Sequence, residues 1–451
     1  MLNHLRVLAK LLRWRCHTWL PDYVARAAAL RRRYGATRPL TDVIFLVTDH
    51  FEPSRREGAV GVRKVADWCR RYETIATRHR DCNGRLPQHT WFYRYDYPND
   101  ECLRILSDYV FRGCGEIEFH LHHAHDDNAS FAHTLASGLA WFNRTGAMIA
   151  AGAEPQRAFA YIAGNWALDN GRGDPAYSGC NEELRLLREA GCYADFTFPA
   201  FGVNSQPRKV NSIYYATDTL APKSYDTGVD LRTGGRPSGD LMIFQGPHYL
   251  DWQRGDIEHA AFESFAPYES GRIEAWLAAA VHVLGRPEWV FIKLHTHGMQ
   301  SHDTVVGENF DRLLTDLERY CDRSALRLHY VTAREAHNIA RAAEAGHCGN
   351  ANDYRDFVIA PPVNRMLRTN RFFHLDTWSE CRLRLVWDDA PADFETTVEF
   401  ASLPLEGLRG RGLRSLDMEW TGNTIDKLVI AADGPYELMT ATAATDHGQS
   451  R

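Results

Sequence analysis

Several familiar signatures are missing from this chain of 451 residues. The ten cysteines are scattered and form no C-x-x-C pair, which excludes a cysteine-ribbon metal site and fits a reducing compartment better than a disulfide framework. No run approaches the ~20 apolar residues of a membrane span. There is no basic excess: the net charge is −6 and the pI about 6.4, so a general nucleic-acid binder is not expected. Internal repeats and long low-complexity segments are also lacking. The apolar run Val7-Leu8-Ala9 stops at Lys10, too early for a secretory core, and the protein is expected in the cytoplasm.

What the chain does have is histidine, 21 of them, with His120, His122, His123 and His125 inside six residues. It also has an uneven start. Residues 1–40 carry nine basic side chains (Arg6, Lys10, Arg13, Arg15, Arg26, Arg31, Arg32, Arg33, Arg38) against the single acid Asp22. Leucines and tryptophans are interspersed among them. This basic helical arm suits either a helix packed on the body or peripheral contact with an anionic membrane.

From residue 41 a strand-then-helix rhythm sets in. Val43–Val47, His89–Tyr93, Gly115–His120, Tyr193–Pro199, Trp289–Leu294 and Leu326–Val331 read as strands. Helices are expected over Arg63–His79, Asp100–Phe111, Asn181–Gly191 and from Thr332 toward Ala345. The alternation predicts an α/β fold, a parallel sheet with helices outside, open or closed into a barrel, over residues 41–348. Residues 349–451 read as a small β-rich C-terminal domain with a disordered tail after Thr442.

In such folds ligands bind at the carboxyl ends of the strands. Three groups sit at such ends. His120 and His122 are two apart on a strand and share a face, and His125 in the following loop could close on the same point, which suits zinc or another divalent ion. The alternative is a solvated polar loop or a hydrogen-bond network. Asp49-His50-Phe51-Glu52 closes the first strand, where a carboxylate could be a metal ligand, a general base or a helix cap. His295 and His297 end a late strand, and either could donate a proton. The glycine-flanked loop Gly164–Asn170 offers Asn165, Trp166 and Asp169 to a sugar substrate, although a buried tryptophan is as natural a reading. Gln245–His248 and Asp251-Trp252 could form a second rim.

With these residues in place, the pattern resembles the polysaccharide deacetylase superfamily of the NodB-homology, carbohydrate esterase family 4 type. The family motif Thr-Phe-Asp-Asp is similar to Val47-Thr48-Asp49-His50, which implies a base role for Asp49, a carboxylate also expected among the metal ligands, and a ligand role for His50. Glu-Ile-Gly-x-His-x-x-x-His is similar to Glu116–His120, but its second histidine falls on Ala124, leaving His122, His123 or His125 as replacements. The family's late Leu-x-His motif, source of the general acid, is similar to Leu294-His295, with His297 as rival. The family's Arg-x-Pro-Tyr-Gly and Asp-x-x-Asp-Trp motifs have no counterpart; Gly164–Asn170 and Tyr193–Phe196 stand in their places. The resemblance implies a distorted (β/α) barrel and a metal-dependent hydrolase, zinc being the expected ion, that removes an acyl group from a carbohydrate. The alternatives are another metal barrel (an amidohydrolase or phosphoesterase) and a catalytically silent, glycan-binding relative.

Overall fold

The computed structural model describes residues 2–35, 38–54, 58–142, 148, 159–359 and 361, and the backbone of eight strands between 372 and 439. Two helices, α1 (Leu2–Arg13) and α2 (Cys16–Tyr34), precede the sheet. The sheet then alternates with helices: β1 (Asp42–Phe51), α3 (Ala59–Ala76), β2 (His89–Arg94), α4 (Asp100–Phe111), β3 (Gly115–Leu121), α5 (Asn128–Phe142), β4 (Phe159–Ala163), α6 (Glu183–Glu189) and β5 (Cys192–Asp195). A stretch of short strands follows: β6 (Ile213–Ala216), β7 (Val229–Asp230), β8 (Leu241–Phe244), β9 (Tyr249–Asp251) and β10 (Asp256–Glu258). The rhythm resumes with α7 (Arg272–Ala279), β11 (Trp289–Thr296), α8 (His302–Val305), α9 (Glu308–Arg323), β12 (Arg327–Tyr330) and α10 (Ala333–Glu344).

The result is a mixed α/β fold on one large, mostly parallel sheet, ordered β11-β1-β2-β3-β4-β5-β8-β6-β7. Only β6 runs against the other strands, pairing antiparallel with both β8 and β7. One edge of β1 is shared: β12 pairs with Asp42–Phe45 and β2 with Val47–Phe51. Residues 281–284, ahead of β11, link the two ends of the ladder by backbone bonds. Leu284 N–H donates to Leu231 and Phe291 N–H to Val281.

Both faces of β1 are buried, as a central parallel strand requires. Odd-numbered residues (Val43, Phe45, Val47, Phe51) meet Trp68 of α3 and Phe310 and Leu313 of α9. Even-numbered residues (Ile44, Leu46) join Phe92, Ile162, Phe196 and Phe291 in a second core, on which the alanine-rich α10 packs. This two-fold alternation decides what each end residue of β1 can reach.

The basic arm is not free. Val7, Leu11 and Trp19 are buried against Val210, Leu250 and Ile257, and Lys10 pairs with Asp256. The segment after 348 also stays with the α/β body at first. Arg355 is buried and bonds Asp81 (2.8 Å) and Glu335 (3.1 Å), so the body extends about ten residues past the expected boundary. Further on, β13 (Phe372–Leu375), β14 (Cys381–Val386), β15 (Thr396–Val398), β16 (Leu403–Pro404), β17 (Leu408–Arg411), β18 (Ser415–Thr421), β19 (Thr424–Ala431) and β20 (Glu437–Met439) form two antiparallel sheets. The tail after Thr442 lies outside the described residues.

Candidate metal centre

Strand register brings the three histidine groups to one level. Thr48 of β1 lies beside His295 of β11, and His120 of β3 beside Ile162 of β4. His50 and Glu52 are two residues apart, so they leave β1 on the same side. There they meet His120, and the three offer donor atoms that all lie within 4.8 Å of one another.

The electrostatics of this group suit a bound cation. His120 Nδ1 lies 2.8 Å from the Ile162 carbonyl, which can only accept, so the proton sits on Nδ1. Burial, followed by the charge of neighbouring His122, holds the His120 pKa below its usual value despite Glu52. His120 Nε2 in turn faces the Glu52 carboxylate at 3.1 Å, so a proton or a metal ion between them would satisfy both. Burial also lowers the His50 pKa, and its Nε2 is buried without a hydrogen-bond partner. Burial alone would raise the Glu52 carboxyl, but the bond to His120 and the nearby His122 and His297 bring it down to about 2. Two neutral imidazoles and an ionised carboxylate are the donor set of many zinc sites, and the Ile162 carbonyl supplies the outer bond that orients a ligating histidine.

His122 borders the group without joining it. Its Nδ1 lies 3.2 Å from Asp96 and its Nε2 3.5 Å from Glu52. Its approach depends on Gly164, where a Cβ would sit 2.6 Å from the His122 ring and from the Leu121 carbonyl. His123 faces elsewhere, bonding Asp126 at 2.9 Å and packing on Phe131. His125 is exposed, in left-handed backbone (φ 56°), and is not among the three donors that converge.

Asp49 also departs from expectation. Adjacent strand residues point to opposite faces, and Asp49 turns into the strand–helix layer while His50 turns to the site. There His89 Nε2–H donates to Oδ2 (2.9 Å) and the Gly298 N–H to Oδ1 (2.6 Å), under the rings of Trp68 and Tyr72. The carboxylate that reaches His50 and His120 is Glu52.

The two late histidines differ in kind. His297 stacks on His50, ring centroids 4.5 Å apart. Its Nδ1–H donates to Glu263 Oε1 at 2.7 Å, and Ser301 donates to the other oxygen of the same carboxylate. Burial works against the imidazolium, but Glu263 outweighs it and raises the His297 pKa. His295 is buried with Nδ1 unpartnered, and burial next to Lys293 drives its pKa well down.

Trp166 stands 6.0 Å from His50 and 5.7 Å from His297 by ring centroids. Asn165 and Trp166 both hold positive φ (56° and 54°), a local strain of about 1 kcal/mol or more each. Trp166, His295 and His259 line a cleft of ≈370 Å³ whose outer wall includes Lys10 and Trp14 of α1. Asp169 is drawn away: Ser224 N–H bonds its Oδ2 at 2.6 Å, and burial lifts its pKa to about 8. His248, in the second expected rim, is a core residue stacked on Phe201.

Glu52 lay in a segment already singled out, and its i, i+2 spacing from His50 is the same signal that paired His120 with His122. Glu263 and His89 carry no local signal, because only tertiary packing places them.

No protein-family model and no curated protein matches the sequence. Among solved structures, the chain is similar to a crystal structure from Parabacteroides distasonis provisionally described as a glycoside hydrolase/deacetylase. Identity is 11%, coverage 89% of this chain and 86% of that chain, and the TM-score 0.35.

Proposed function

We propose that the chain is a metal-dependent hydrolase that removes an acyl group, of the acetyl type, from a sugar or glycan precursor. The observation that carries the reading is the convergence of the donor atoms of His50, Glu52 and His120 within 4.8 Å of one another, beside a cleft edged by Trp166. The motif resemblance around Glu116–His120 agrees with it, as does the large parallel sheet, read here as an incompletely closed barrel.

His50, Glu52 and His120 would hold the ion, zinc by donor type. Its chemistry would be Lewis-acid polarisation of an acyl carbonyl and acidification of water. The protein's own contribution is proton supply and placement. Glu263 fixes Nδ1 of His297, leaving Nε2 to give a proton to the departing amine or hydroxyl. His297 suits this role better than His295, because its carboxylate partner favours the protonated ring. Trp166 offers an aromatic face for a sugar ring. Asp49 acts at one remove, holding the Gly298 N–H next to His297.

The test is acetate release from acetylated amino-sugar oligomers. Release should stop with a chelator, return with added Zn²⁺ and fall at least 100-fold in His297→Ala. A second reading, a silent glycan-binding protein, draws on Asp49 lying outside the site; metal binding and sugar binding without acetate release would select it.

A further inference from the structure

The helix α1 has two apolar faces. Val7 and Leu11, four apart, are buried against the body. Leu5, Leu8 and Leu12, spaced three and four, form a separate strip along the outside, 57%, 49% and 83% exposed. One face explains why the helix packs; the other has no counterpart within the described body. Arg6 and Arg13 flank the outer strip and are exposed, as are Arg31, Arg32 and Arg33 near the end of α2. Residues 1–40 thus hold a surplus of eight positive charges in a chain whose net charge is −6; Lys10 and Arg26 pair with Asp256 and Asp230 of the body, and Arg6, Arg13 and Arg31 to Arg33 stay exposed. A second copy of the same strip would bring like charge onto like charge. An anionic lipid surface complements both the leucines and the arginines, and among the described residues no helix is long and apolar enough to cross the membrane.

We propose that α1 docks the protein on an anionic lipid surface through Leu5, Leu8 and Leu12. The same helix supplies Lys10 and Trp14 to the wall of the cleft that contains His295 and Trp166, but Lys10 lies on the side of the helix away from the leucine strip, so a docked cleft stands about one helix diameter, roughly 10 Å, from the lipid.

Sedimentation of the full chain with vesicles tests the docking. Vesicles of phosphatidylcholine with roughly a third phosphatidylglycerol should carry the protein down, phosphatidylcholine alone about tenfold less, and high salt should release it. The triple variant Leu5→Ser, Leu8→Ser, Leu12→Ser should lose about tenfold or more in vesicle affinity while keeping its circular dichroism, since Val7 and Leu11 still hold the helix. Arg6→Gln with Arg13→Gln should weaken binding and its preference for anionic lipid. Equal binding by the leucine variant, or no sedimentation of the native chain, would overturn the proposal. So would a leucine-dependent dimer in gel filtration without vesicle binding. Metal content and hydrolysis of a soluble acetylated sugar should be the same in the leucine variant and the native chain. Vesicle binding without hydrolysis therefore leaves docking standing and removes the hydrolase reading; hydrolysis without vesicle binding does the reverse.

Discussion

His50 and His297 lie ring over ring, centroids 4.5 Å apart and planes 27° from parallel, although 247 positions separate them in the chain. One belongs to the proposed metal group and the other to the His297–Glu263 pair. Their stacking sets the distance between the ion-holding and proton-donating parts of the site.

Glu263→Gln should leave the metal group intact and lower turnover by roughly 10- to 100-fold. Glu263 raises the His297 pKa, so its removal lowers it. The acid must be protonated to work, and the alkaline limb of the kcat–pH profile should therefore move to lower pH. An unchanged limb would remove His297 from proton transfer.

Asp49→Ala should act on the fold before it acts on metal. It strands the buried His89 Nε2–H and the Gly298 N–H, a cost of about 2–5 kcal/mol. Denaturant unfolding should show this loss while the folded fraction still takes up metal. A stable, folded variant that binds no metal would place Asp49 among the ligands instead.

His123 links pH to stability away from the site. Burial disfavours its charge, but Glu183 and Asp126 raise its pKa to about 9, above the unfolded value of about 6.5. The stabilisation, at most about 3 kcal/mol, is fully present below pH ~6.5 and is lost as pH rises through about 9. Melting curves of His123→Phe and the native chain should converge as pH climbs across that window. A stability difference that does not change with pH would mean that His123 stays neutral.

Gly164→Ala should damage the end of β3, because the new Cβ would sit 2.6 Å from the His122 ring and from the Leu121 carbonyl. A cost of about 1–3 kcal/mol and weaker metal uptake are expected. Calorimetric metal titration of the refolded variant checks it, and native-like affinity would show that His122 has room to give.

The long strands were legible because a central parallel strand needs apolar residues on both faces, as Val43–Val47 and Trp289–Leu294 have. The short strands β6 to β10 were not, since two to four residues carry too little pattern. Within the site, period-two alternation made His120 readable, and the same rule applied to β1 points to Glu52. The motif resemblance instead led to Asp49, whose side chain the pleat turns to the other face. Glu263 could not be read at all, because it meets His297 only through the loop preceding α7.

The most direct test of the account is the metal content of the purified chain and of its single variants. About one divalent ion per native chain is predicted, lost in His50→Ala, Glu52→Ala and His120→Ala and kept in His125→Ala. A native chain that takes up no ion, or a His120→Ala variant that keeps one, would contradict it.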